Sequence, residues 1–273
     1  MSNSGDGPSE LPPAQAAARR TAIRRGFGAG GNDVEVHVFD TIGSTNEWLA
    51  ERPLTRPTLV TAREQTRGRG RRGRQWSSPT GGLYFSLGQP LDAADSIQPT
   101  LSLLVGLSLA DALARAGFAG IRVKWPNDLV VDGAKLAGIL VESRPTALIV
   151  GVGINRSVGG IGVLPADRRA IGLDQLGEAV IDDTLLGRLA AAVHEAVNLA
   201  PAQATWLLRE RWPALDALAG RTIVVEQAGA NGLLEGRVTG ITADGRLRLA
   251  TTAGEHCLNA GECRVQGGWG AAE

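Results

Sequence analysis

Between Arg67 and Arg74 five residues are arginine and the other three are glycine, in the run Arg67-Gly68-Arg69-Gly70-Arg71-Arg72-Gly73-Arg74. A guanidinium is permanently charged, and its planar fork of donors matches carboxylates and phosphates. Glycines between such residues let the backbone approach a ligand closely. The segment lacks helix or strand periodicity and its charges repel, so it reads as a loop that is mobile when empty and orders around an anion. Gly68, Gly70 and Gly73 also have the spacing of a dinucleotide fingerprint, which needs a helix opening at the third glycine. The residues that follow, Ser77-Ser78-Pro79-Thr80-Gly81-Gly82, are turn chemistry instead. An arginine-glycine tract that binds RNA without sequence preference is the competing reading from composition alone.

Four further stretches could carry chemistry. Ser44 with Glu47 three residues on has the capping-box pattern, and helix starts offer backbone N–H groups to anions. Trp125-Pro126-Asn127-Asp128 interrupts an apolar run with a residue that cannot donate to a ladder, so it should be an edge, bulge or loop displaying Asn127 and Asp128. Asp132-Gly133 between apolar strands is a hairpin signal, with Lys135 at the start of the returning strand and Gly138 three residues along. Gly151-Val152-Gly153-Ile154-Asn155 ends a buried strand on an amide. Taken singly, each has a bland reading: a plain cap, a turn, a solvated lysine, a strand glycine at a bulge.

The elements that must position these residues follow from pattern. Val34–Phe39, 58–62, 82–87 and 147–155 read as strands, and Gln98–Ala116, 182–199 and 201–213 as helices, with Trp206 and Trp212 in the core. Residues 1–32 are rich in Ser, Gly, Pro, Ala and Arg and read as a flexible arm, in which Ala14–Arg25 could form a brief helix. From Gly220 the pattern changes to short strands (221–225, 233–241, 246–249 and 262–265) separated by glycine turns, the signature of a small all-β unit. The implied division is an arm over 1–32, a larger domain over 33–217, a small domain over 218–268 and a tail over 269–273. The 273 residues hold 28 basic and 28 acidic side chains, so the positive charge at 67–74 is local, which favours a small anionic ligand over general nucleic-acid binding. Two cysteines and three histidines make no zinc set. No apolar run reaches membrane-spanning length and no signal peptide is evident, so a reducing cytoplasm is the expected setting.

Ser44-Thr45-Asn46, Gln65 with Gly68-Arg69-Gly70-Arg71-Arg72-Gly73-Arg74-Gln75-Trp76, Lys124-Trp125-Pro126-Asn127-Asp128, Lys135-Leu136-Ala137-Gly138-Ile139-Leu140 and Gly151-Val152-Gly153-Ile154-Asn155, in this order, resemble the biotin–protein ligases over about 34–267. The resemblance implies an α+β fold. It comprises a mixed β-sheet with flanking helices, related to class II aminoacyl-tRNA synthetases and lipoate ligases, and a small C-terminal SH3-like β-barrel. It implies activation of biotin by ATP to biotinyl-5'-AMP, then transfer to a lysine of the biotin carboxyl carrier domain of acyl-CoA carboxylases. By the same resemblance Ser44, Thr45, Asn46 and Gln65 would hold the ureido end of biotin. Gly68, Arg69, Gly70 and Arg71 would close over it, and Gly138 and Gly151 would floor the pocket. Arg71, Arg74, Trp76, Asn127 and Asn155 would serve ATP. Lys135, with Arg71, would carry the catalytic charge between the biotin carboxylate and the α-phosphate, and Asp128 would hold Mg²⁺. No general base for the transfer step is evident, and the carrier domain is expected to dock by extending a sheet edge. Larger members add a DNA-binding winged helix, and with only the lead-in before residue 34 no specific DNA binding is expected here. A lipoate or octanoate ligase of the same fold is the nearest rival.

Overall fold

The computed structural model describes residues 7–92, 97–159, 169–226 and 233–269. In chain order the elements are β1 (Ser9–Glu10), α1 (Pro13–Phe27), β2 (Glu35–Ile42), α2 (Thr45–Ala50), β3 (Thr58–Gln65), β4 (Leu83–Pro90) and α3 (Leu101–Arg115). They continue with β5 (Arg122–Lys124), β6 (Asp128–Val131), β7 (Ala134–Arg144), β8 (Ala147–Ile154), α4 (Asp183–Val197) and α5 (Pro201–Leu215). Last come β9 (Thr222–Glu226), β10 (Leu233–Ile241), β11 (Leu247–Thr251), β12 (Gly254–Leu258) and β13 (Glu262–Val265).

The first eight strands form one mixed sheet in the order β1-β2-β3-β4-β8-β7-β6-β5, as the resemblance implied. Of its strand pairs among the described residues, only β2 and β3 run parallel. Successive strand side chains face opposite sides, and neighbouring residues here enter different cores. Leu59 and Val150 join the large core under α3 and α4, whereas Val60 and Ile149 join a small one closed by Leu49 of α2. Each such side chain stabilises the fold by roughly 2 kcal/mol on burial. The Asp132-Gly133 turn forms as its sequence demands, with φ of 47° and 77°.

The lead-in differs from expectation. Residues 1–6 lie outside the described ones, but from Ser9 onward the chain is docked. β1 pairs with β2 opposite Phe39 and Thr41. α1 lies on α4, burying Ile23 and Phe27. Two glycines allow this crossing: a Cβ at Gly187 would overlap the Ile23 carbonyl, and one at Gly26 would overlap that of Thr184. Arg19 pairs with Asp183 at 2.8 Å. The arm reading failed because the apolar residues of α1 are sparse and their partner lies far along the chain. Ile23→Ala is expected to cost about 2–4 kcal/mol by leaving a cavity at a closed helix crossing. An unchanged urea midpoint would show the helix to be undocked in solution.

Two aromatic placements also diverge. Trp212 is buried and donates Nε1–H to Asp216 at 3.0 Å, but Trp206, expected in the core, is 58% exposed. Six residues is about one and two-thirds helical turns, so the two rings point to different faces and Trp206 falls on the outer side of α5.

The C-terminal strands form a five-stranded antiparallel sheet in the order β12-β11-β10-β9-β13, so the short-strand reading holds there. β12 and β13 are its two ends, and barrel closure is not part of the strand pairing among the described residues. β12, which carries His256 and Cys257, adds a strand between those read at 246–249 and 262–265. The small sheet is fastened to the large one: Trp125 donates Nε1–H to the Gly245 carbonyl at 3.0 Å, and the Ala217 N–H bonds the Val123 carbonyl at 2.9 Å. No helix among the described residues is long and apolar enough to cross a membrane.

Candidate active site

One cavity of about 360 Å³ opens between the sheet, the arginine loop and the C-terminal sheet. At one end Ser44, Thr45 and Asn46 line it, buried at the start of α2. The Ser44 hydroxyl accepts from the Glu47 N–H at 3.5 Å, a long cap, while the Glu47 carboxylate turns to Arg67 at 3.6 Å. Gln65, at the end of β3, accepts from the Thr45 N–H at 2.9 Å and donates to the Ser78 hydroxyl at 2.9 Å.

The arginine loop folds over this cavity as an irregular hairpin. The Trp76 N–H donates to the Gly68 carbonyl at 2.9 Å, and the Gly70 N–H to the Arg74 carbonyl at 2.8 Å. At the tip, Arg72 and Gly73 adopt φ of 56° and 71°. Gly68 itself does not line the cavity; a Cβ there would overlap the Trp76 carbonyl and sit 2.5 Å from Ser78 Oγ. It packs at the base of the loop, whose Arg69, Gly70, Arg71 and Arg74 cover the cavity as a lid.

Each lid arginine reaches a protein oxygen. Arg69 meets Glu142 at 2.9 Å, Arg71 donates to Asn127 Oδ1 at 3.2 Å, and Arg74 makes a close pair with Glu262. Burial, with Arg72 alongside, pulls the Arg71 pKa down. Burial likewise pulls the Lys124 pKa down. Both line the cavity, where an anionic occupant would offset what burial costs their charged forms.

Opposite the lid, Lys135 stands on β7 with Nζ 2.7 Å from Asp128 Oδ1 and 5.0 Å from the centre of the Trp76 ring. That Asp128 oxygen is buried with no aligned hydrogen bond, so the pair is an ionic contact only. Asn127 and Asn155 brace the strand: Asn127 Nδ2 donates to the Ile139 carbonyl at 2.8 Å and Asn155 Nδ2 to the Lys135 carbonyl at 3.0 Å. Gly138 and Gly151 both line the cavity. The space at Gly138 is taken by Trp76 and the Lys135 ammonium, and the space at Gly151 by the Asn46 amide.

Several residues of the site carried no local signal. Glu142 and Glu262 hold the lid, while Cys263 and Trp269 bring the C-terminal unit into the cavity wall. Burial pushes the Cys263 thiol up to about 12, so it is an inert packing group. Among the described residues no three His, Cys, Asp or Glu side chains gather as a metal cage.

Residues 38–156 match the biotin/lipoate A/B protein ligase family, and residues 219–265 match the biotin protein ligase C-terminal domain. The biotin--[acetyl-CoA-carboxylase] ligase of Paracoccus denitrificans is 34% identical over 226 residues, covering 77% of this chain and 90% of that protein. The chain belongs to the biotin/lipoate protein ligase family. A biotin protein ligase from Aquifex aeolicus, in complex with biotin and ATP, superposes with a TM-score of 0.67 at 26% identity. It covers 85% of this chain and 98% of its own. The bifunctional ligase/repressor BirA of Escherichia coli is 34% identical over 196 residues, and this chain spans 61% of that relative's length. Family membership accounts for both matched regions meeting at one cavity.

Proposed function

We propose that the protein is a biotin–protein ligase. It joins the biotin carboxylate to the α-phosphate of ATP, releasing pyrophosphate, and then passes the acyl group to a lysine of a biotin carboxyl carrier domain, releasing AMP. The observation that carries this reading is the convergence of lid guanidinium groups and the Lys135 ammonium on one cavity whose other end is a neutral, hydrogen-bonding pocket.

The physical problem is repulsion. Carboxylate and α-phosphate are both anions and must come within bonding distance. Two unit charges ~4 Å apart repel by about 1 kcal/mol in water and several-fold more in a drier site. Arg71 and Lys135, both on the cavity wall, cancel that charge as the new C–O–P link forms and pyrophosphate leaves. Arg74 and Lys124 line the same cavity and would offset the charge of the departing phosphates. The head pocket of Ser44, Thr45, Asn46 and Gln65 takes the ureido ring, and the lid shields the reactive anhydride from water.

Mg²⁺ fits this donor set. It commonly takes one or two carboxylates and completes its shell with phosphates and water. Asp128 Oδ1, buried and without an aligned donor, is the oxygen that would hold it. When bound, Mg²⁺ would neutralise phosphate charge. Lys135, paired with Asp128 here, would then be free to face the substrates.

Relatives named as biotin ligases support biotin as the acid, and a dithiolane acid such as lipoate is the competitor to exclude. The test is ATP–pyrophosphate exchange with each acid, followed by labelled-acid transfer to a carrier domain. Biotin-dependent exchange and transfer are expected. Exchange driven only by lipoate, or by neither acid, would overturn the proposal.

A further inference from the structure

One carboxylate holds both the lid and the pocket wall. Glu142 projects from β7 with Oε1 2.9 Å from the Arg69 guanidinium and Oε2 2.8 Å from Asn46 Nδ2. Arg144 stands 3.7 Å from Oε1. A carboxylate can only accept hydrogen bonds, so it decides which end of the Asn46 amide faces it. Asn46 must turn its NH₂ toward Glu142, and Oδ1 then points to the Ser86 hydroxyl at 2.5 Å. Ser86 has one proton and gives it to that oxygen. The Thr45 hydroxyl, 2.6 Å from Ser86 and 3.1 Å from Gln65 Oε1, donates along the shorter bond. The chain therefore runs one way, from Thr45 to Ser86 to Asn46 to Glu142. Thr45 lines the cavity, and with its proton committed to Ser86 its hydroxyl oxygen can only accept.

We propose that Glu142 is a positioning and specificity residue. It polarises the head pocket so that it accepts from N–H donors, as a cyclic urea has and a dithiolane lacks. Through Arg69 it also ties closure of the lid to that same polarity. This rests on the ligase reading. The polarity is inherited from one partly buried anion and disappears with it: Glu142→Gln keeps the shape but offers an NH₂ group to Asn46 Oδ1, so the amide can turn over and the chain can reverse.

The test uses the full-length enzyme and its Glu142→Gln and Glu142→Asp variants. It measures KM for biotin and for ATP, inhibition of biotin-dependent exchange by lipoate, and the share of acyl-adenylate escaping to solvent per turnover. Removing a charge-assisted hydrogen bond from the pocket corresponds to about a tenfold or larger change in affinity. In Glu142→Gln the biotin KM is expected to rise at least that much while the ATP KM stays within about twofold. Lipoate should inhibit more strongly relative to biotin, and adenylate escape should increase. Glu142→Asp should recover part of each effect. A merely structural role would lower kcat and thermal stability without altering lipoate discrimination or adenylate escape, and that result would overturn the proposal. Wild-type biotin KM and escape in Glu142→Gln would overturn it as well, with the ligase reading untouched. A wild-type enzyme without biotin-dependent exchange would instead remove the reading on which it rests.

Discussion

Lys135→Ala is expected to lower biotin-dependent pyrophosphate exchange at least ~10²-fold, the scale of removing one preorganised donor from charge that develops in a transition state. The loss should appear in kcat, because the ammonium acts on the reacting oxygens and not on the distant ureido ring. The Lys135 side chain is 37% exposed, but its removal leaves the buried Asp128 Oδ1 without its cation, so the melting temperature is measured beside the exchange rate to separate lost stability from lost chemistry. The backbone hydrogen bonds that hold the strand, including the Lys135 N–H to the Arg169 carbonyl at 2.7 Å, survive the substitution. A variant with the wild-type melting temperature and wild-type exchange rate would remove Lys135 from the mechanism.

Gly151→Ala should act on the opposite end of the cavity. A Cβ at this position would overlap Asn46 Oδ1 and sit 2.8 Å from Asn46 Cγ. Neither side can yield easily. Gly151 is paired with Ser86 on β4 and with Leu140 on β7, so its backbone is fixed on both flanks. The Asn46 amide is held by Ser86 and Glu142. Forcing a methyl into such a site costs about 1–3 kcal/mol. Expressed through the head pocket, this is about a 10- to 100-fold rise in the biotin KM, with the ATP KM changed far less. Titration calorimetry with biotin alone checks it, and wild-type affinity would show that the Asn46 amide does not line the biotin site.

The parts of the molecule legible beforehand are those whose causes are local. The Asp132-Gly133 turn needs two consecutive positive φ angles, and α3 has apolar residues at helical spacing; both could be read from adjacent residues. The lid was legible because its chemistry is its composition. The carboxylates that hold it were not, since Glu142 and Glu262 lie 73 and 188 residues from Arg69 and Arg74 and meet them only when the sheets assemble. The docking of α1 escaped for a related reason: its partner α4 lies far along the chain, where Gly26 and Gly187 let the two helices touch. At Gly138 and Gly151 the close approach was foreseen, but its beneficiaries are the protein's own Trp76 and Asn46.

The central claim is that the arginine lid closes on two anions together. Trypsin tests it directly, because the segment offers Arg67, Arg69, Arg71, Arg72 and Arg74 as cleavage sites. With biotin and ATP both present, cleavage between residues 67 and 76 is expected to slow at least ~10-fold relative to the free protein. Biotin alone should protect less. Equal cleavage with and without the two ligands would contradict the account.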